Sequence, residues 1–203
     1  MHVHLTRSLI VVCFLLACVP AWASSNTVDS SPPFALISPA VADRLKAEAA
    51  TPEAQHLLKE ADAGLAKAPN ALPKVHTEGT LPHQGIWDQS LAAEKDWPLM
   101  LTFGVAYRLT GDKRYLTATE RFLSAWLSVY KVSFNPIDET NLDQMILAYD
   151  LTRSGLSQPT EDMMATFLRT MAEGYLDKIA HEKVLNFLEI NAKIETVPAA
   201  TAK

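Results

Sequence analysis

Apolar residues recur at helical spacing along most of the chain, and no stretch alternates long enough to make a trustworthy strand. In "RYLTATERFLSAWLSVY", Tyr115, Ala118, Phe122, Trp126 and Val129 form one stripe. Leu142, Met145 and Tyr149 form a second, and Met164, Phe167, Met171 and Tyr175 a third. "DWPLMLTFGVAYRLTGD" is apolar almost all round, which predicts a buried helix. Asp96 stands where an N-cap belongs, with Pro98 tolerated in the first turn, and Gly111 and Asp112 break the helix. The tight turn there predicts an antiparallel helical hairpin with the segment that follows. Gly155 is placed as a C-terminal cap of the helix carrying the second stripe, and Ser157 to start the next.

Upstream, "SPAVADRLKAEAATPEAQHLLKEADAGLAKAP" predicts two helices, with Pro39 and Pro52 near their starts. "NALPKVHTEGTLPHQGIWDQS" has no clear period and reads as a loop. A loop of that length in a compact domain is more often functional than accidental. The pattern as a whole predicts an all-α protein built from helical hairpins in series.

The first 23 residues break this pattern. A cationic start with Arg7, the apolar run "SLIVVCFLLACV" and small residues at Ala21 and Ala23 have the layout of a secretory signal peptide cleaved after Ala23. "LLAC", ending at Cys18, offers a lipoprotein alternative. Both cysteines, Cys13 and Cys18, lie in this segment, so the mature chain has none and relies on core burial. Removing Arg7 leaves 17 basic against 23 acidic residues, a net charge of −6. With no basic block, nucleic acid is excluded as a natural partner. No second long apolar stretch follows, so no membrane association is expected after signal cleavage, and the expected location is the periplasm. The expected organisation is a signal peptide (1–23), a tether (24–37), a helical domain (38–182) and an atypical tail (183–203).

Two constellations carry candidate chemistry. In "NPIDETNLDQM", Pro136 biases Asn135 toward an extended conformation. Asp138 can cap the following helix, while Glu139 and Asp143 suit its positive end. That accounts for the acids. Asn135 and Asn141 are left as potential donors to a sugar carboxylate or hydroxyl. The loop "HTEGTLPHQGIWDQS" holds His76, Glu78, His83, Trp87 and Asp88. Trp87 is either a stacking platform for a sugar ring or an anchor of the loop, and the histidines either carry protons or are simply solvated. No metal-ligand spacing and no phosphate-cradling glycine loop is present. The candidate substrate-binding residues are therefore His83, Trp87, Asn135, Asp138 and Asn141, with no metal site.

The loop with "HTEGT", then "KDWPLMLTFGVAYRLTGDKRYLTATERFLSAWL", then "NPIDETNLDQMILAYDL" resembles the alginate lyase family of periplasmic polysaccharide lyases, across roughly residues 73–180. The resemblance implies a toroid of α/α hairpins around a cleft for an acidic polysaccharide. It implies β-elimination, in which a donor neutralises the uronate carboxylate, a His or Tyr takes the C5 proton, and a Tyr or His protonates the leaving oxygen. It implies no metal or organic cofactor.

The chain departs from the family pattern after "LRTMAEGYLDKI", where an adjacent Asn-Asn pair is expected. It reads "AHEKVLNFLEINAKIETVPAATAK", with Asn186 and Asn191 apart. No catalytic residue is therefore assigned, and the expectation is a partial toroid, incomplete at its C-terminus and impaired in catalysis. Its uncovered apolar flank would invite self-association. Two other functions fit the same residues. One is a toroid glycoside hydrolase pairing Asp88 with Asp138 or Glu139. The other is a non-catalytic saccharide-binding helical protein.

Overall fold

The computed structural model describes residues 36–183. All of them belong to one compact unit. The expected signal peptide, most of the tether and nearly all of the tail fall outside the described residues.

Among the described residues seven α-helices follow one another: α1 (Pro39–Ala47), α2 (Pro52–Gly64), α3 (Trp87–Glu94), α4 (Asp96–Thr110), α5 (Lys113–Val129), α6 (Leu142–Thr152) and α7 (Gln158–Lys178). A 3₁₀ turn, Arg153–Gly155, follows α6, and a π-helical turn, Ile179–Lys183, follows α7. No strand occurs among the described residues, so the protein is all-α there, as the spacing of apolar residues predicts.

Local chemistry explains where the helices start and stop. The Ser38 and Thr51 hydroxyls accept from the backbone N–H of Val41 (3.3 Å) and Ala54 (3.2 Å), each one residue ahead of a first-turn proline. Gly111 ends α4 in the left-handed region (φ 72°), and Asp112 then caps α5 by accepting from Arg114 N–H at 2.8 Å. Ser157 is the N-cap of α7, but there it is its backbone N–H that is held, donating to Glu120 at 2.9 Å.

Helix α4 is the centre of the packing, touching α1, α2, α5 and α6. Trp97, Met100 and Phe103 on α4 meet Phe122 and Trp126 on α5, all fully buried, with Trp97–Trp126 and Phe103–Phe122 ring centroids 5.1 and 5.8 Å apart. Gly104 lets α6 approach closely: a Cβ there would sit 3.3 Å from the Ala148 backbone.

Three sequence expectations are corrected. Asp96 does not cap α4; Lys95 occupies that position and makes no side-chain cap bond. Asp96 is buried instead, and its Oδ2 accepts from Trp126 Nε1 (2.8 Å) and Asn70 N–H (2.6 Å), joining α4, α5 and the long loop. Burial raises its pKa even though both hydrogen bonds act to lower it. Val129 is 39 % exposed, because the α5 stripe runs off the core in its last turn. Gly155 is not a left-handed cap. It closes the 3₁₀ turn where a side chain would crowd Leu116, whose Cδ2 lies 2.7 Å from the Cβ position.

The 65–86 loop is tied down along its length. Arg121 donates to the Leu65 and Lys67 carbonyls (2.9 and 3.0 Å), Lys131 N–H to Pro73 O (3.0 Å) and His76 N–H to Ser90 Oγ (2.9 Å), while Val75 is fully buried. These bonds hold it against α3 and α5.

Trp126→Phe keeps the ring in the core but removes the N–H that Asp96 accepts. The expected result in denaturant unfolding is a loss of about 1–3 kcal/mol, the penalty for a buried polar group short of a partner. An unchanged midpoint would show that the bond does not contribute.

Candidate functional site

Residues 130–141 form the connection between α5 and α6, and two consecutive carboxylates in it are buried: Asp138 (2 % exposed) and Glu139 (6 %). They face opposite ways. Asp138 Oδ1 accepts from Thr77 N–H (2.7 Å), Glu78 N–H (3.0 Å) and the Thr77 hydroxyl (3.3 Å), and its Oδ2 is 2.9 Å from His76 Nδ1. Glu139 Oε1 accepts from the Tyr130 hydroxyl (2.9 Å), Ser133 N–H (2.6 Å) and the Ser133 hydroxyl (3.0 Å), and its Oε2 from the Tyr175 hydroxyl (2.7 Å). Asp138 thus holds the 76–78 segment, and Glu139 holds the end of α5 and the C-terminal half of α7.

The charge states follow from these contacts. Burial works to raise the Asp138 pKa, but the bonds from His76, Thr77 and Glu78 bring it below its ordinary value. Glu94 is raised, by burial first and then by the charge of Asp138, and its Oε1 is buried without a hydrogen-bond partner. Burial, followed by the Glu139 charge and hydrogen bond, pushes the Tyr130 phenol far up. Tyr175 is also pushed up, by burial and then by its bond to Glu139. Both phenols therefore stay protonated.

Phe134 sits in the left-handed region (φ 57°), unusual for a bulky residue. What holds it there is α7. Its ring lies so close to Gly174 that a Cβ there would overlap it, and it meets Tyr175 edge-on with centroids 5.8 Å apart. Its carbonyl accepts from Lys178 Nζ at 2.9 Å. Between this turn and the end of α7 is a cavity of about 220 Å³, lined chiefly by Glu78, Asn135, Ile137, Tyr175, Lys178 and Ile179. That is below the roughly 300–1,000 Å³ of drug-sized ligand sites and suits one small ring. A wider, more open and mainly apolar cavity of about 520 Å³ lies between the end of α5 and α7, against Leu127, Val132, Met163 and Phe167.

The five sequence candidates separate in space. Asn135 lines the smaller cavity; its amide donates to the Glu78 carboxylate, and its Oδ1 accepts Ile137 N–H at 2.9 Å. Asp138 lies beneath, its carboxylate occupied. It does not cap α6, which starts at Leu142 with Asn141 in the N-cap position and no side-chain cap bond. Glu139 likewise accepts from Tyr130, Ser133 and Tyr175 and does not serve the α6 dipole. Asn141 is exposed, and His83 pairs with Asp88 at 2.9 Å with most of its side chain in solvent. Trp87 begins α3, half-buried. His83, Trp87 and Asn141 line neither cavity.

Sequence reasoning missed Tyr175 and Lys178 as site residues. Tyr175 was legible only as part of the inward stripe of α7, and Lys178 stands in its last turn as an ordinary helix-end cation. Among the described residues, no group of three or more His, Cys, Asp or Glu side chains could hold a metal ion, and no helix is long and apolar enough to cross a membrane.

Two substitutions test this geometry. The depressed pKa of Asp138 means its stabilisation is present above its unfolded pKa of about 4 and is lost as pH falls through the lower folded value. Asp138→Asn should therefore cost about 1–3 kcal/mol near neutrality and give a shallower acid-side fall in thermal midpoint than the parent. Parallel acid limbs in the two proteins would refute the clamp. Gly174→Ala forces the Phe134 ring to move and should cost about 1–3 kcal/mol in urea unfolding; no change would mean the turn and α7 are not locked together.

A family model described as alginate lyase matches residues 41–184, most of the chain and nearly all of its described part. No curated protein and no solved structure matches it. The matched segment runs from α1 through α7 and includes both buried carboxylates and the smaller cavity. The chain belongs to the alginate lyase family.

Proposed function

We propose that this polysaccharide-lyase-like chain is an exported, periplasmic protein. It binds a uronate polysaccharide such as alginate at the 130–141 turn, within a toroid-type helical arrangement suited to β-elimination, and turns it over poorly. Family membership is the observation that carries the substrate class. The smaller cavity supports the binding part, because it sets Tyr175 and Phe134 as ring surfaces beside the polar groups of Asn135, Glu78 and Lys178.

Elimination needs a group that takes the C5 proton as the C5–H electrons form the C4=C5 double bond and O4 leaves with a proton. Tyr175 is the phenol at the cavity, and its bond to Glu139, together with burial, keeps its proton in place. As a base it is therefore disabled. One N–H of the Asn135 amide is taken by the Glu78 carboxylate, whose negative charge also works against a uronate carboxylate beside it. These two facts support binding with impaired chemistry.

The test is incubation of the purified protein with alginate, with binding followed by calorimetry and the unsaturated uronate product by its ultraviolet absorbance. Binding with little or no absorbance gain is expected. Rapid absorbance growth would overturn the impairment, and new reducing ends without a double bond would point instead to hydrolysis. Absence of binding to any uronate polymer would overturn the substrate class.

A further inference from the structure

Asp138 is saturated by donors from one short segment, and a carboxylate can only accept. The Nδ1 of His76, 2.9 Å from Asp138 Oδ2, must therefore carry a hydrogen and donate it. In the neutral ring this fixes the tautomer, leaving the lone pair on Nε2. Nε2 has no hydrogen-bond partner among the described residues, and the side chain is 35 % exposed, whereas its carboxylate partner is 1 % exposed. One ring nitrogen is held by a buried carboxylate, and the other belongs to a partly exposed side chain and makes no hydrogen bond among the described residues.

The arrangement exceeds what anchoring the loop requires. Thr77 N–H, the Thr77 hydroxyl and Glu78 N–H already tie this segment to Asp138, and His76 N–H is bonded to Ser90 Oγ. Two residues along, Glu78 forms part of the cavity wall and accepts from Asn135. His76 thus belongs to the same hydrogen-bonded segment as the wall, two residues from Glu78.

We propose that His76 contacts the saccharide: its outward Nε2 accepts a hydrogen bond from a sugar hydroxyl beside the cavity, and Asp138 is the positioning residue that orients the ring. A hydroxyl is the fitting partner because a lone pair needs a donor, and at neutral charge the imidazole offers nothing to a uronate carboxylate on that side. The contact rests on the proposed binding of a uronate polysaccharide and adds to it a specificity element outside the cavity lining.

The experiment uses the purified protein labelled with ¹⁵N-histidine, titrated with short alginate oligosaccharides at a pH where the imidazole is neutral. Before ligand, His76 should show a protonated Nδ1 and an unprotonated Nε2, with that preference weakened in Asp138→Asn. On titration the Nε2 resonance should shift with saturation. His76→Asn keeps an N–H donor for Asp138 but removes the outward nitrogen, so the thermal midpoint should hold while affinity falls about tenfold, one hydrogen bond's worth.

Ligand binding that leaves Nε2 unmoved, or full affinity in His76→Asn, overturns the contact while sparing the proposed function. No binding by the parent protein removes the proposed function and the contact together. The opposite tautomer in the unliganded protein overturns the positioning role of Asp138 by itself. Should His76→Asn fold poorly, the titration of the parent protein decides alone.

Discussion

Burying two consecutive carboxylates is tolerable only if each finds its own full set of donors, and that requirement organises the structure around residues 138 and 139. A buried charge without hydrogen bonds is costly by several kcal/mol. Successive residues of the turn aim the two side chains in different directions, so no single neighbour can satisfy both. Asp138 therefore recruits residues 76–78, 60 to 62 positions away in sequence, and Glu139 recruits Tyr130, Ser133 and Tyr175. The long loop, the end of α5 and the last half of α7 converge because one turn needs all of their donors. The smaller cavity lies where they meet.

Helix starts and stops were legible because their causes are local. Pro39 and Pro52 behind hydroxyl caps, and Gly111 followed by Asp112, act within four residues of themselves, so a linear reading captures them. The apolar stripes were legible for the same reason, since α4's all-round hydrophobicity matches its contacts on four sides. Asp96, Asp138 and Glu139 were misread by the same local logic. Each stands near a helix start, where Asp96 and Asp138 look like caps and Glu139 like a charge set against the helix dipole. Each instead serves donors from other segments: Trp126 for Asp96, His76 to Glu78 for Asp138, and Tyr175 for Glu139. A cap is worth about 1 kcal/mol, whereas leaving a buried carboxylate's partners unmatched costs more, so the long-range arrangement wins.

The site candidates divide along the same line. Asn135 was recognisable because the unusual residue sits in the turn itself, next to Pro136. His83 and Trp87 were chosen for residue type; His83 pairs with Asp88, Trp87 begins α3, and neither lines the two cavities. Lys178 carried no sequence signal. What gives it a place is the left-handed Phe134, whose carbonyl it receives and whose ring needs Gly174. No pattern in the chain announces that a glycine at 174 and a phenylalanine at 134 belong together.

Charge sets the terms on which such a site meets an acidic polymer. The whole chain carries −5 and the cavity wall includes Glu78, so long-range attraction does not bring a polyuronate to this surface. At physiological ionic strength that repulsion is screened beyond about 8 Å, and recognition has to be made from short contacts. The groups at the turn fit this: ring faces from Tyr175 and Phe134, amide and carboxylate groups for hydroxyls, and a cation, Lys178, drawn in close by a backbone carbonyl. Such contacts depend on position far more than on net charge. The hydrogen-bonded frame around Asp138 and Glu139 is therefore the property on which the proposed recognition at this turn depends, and the same bonds hold the Tyr175 proton in place.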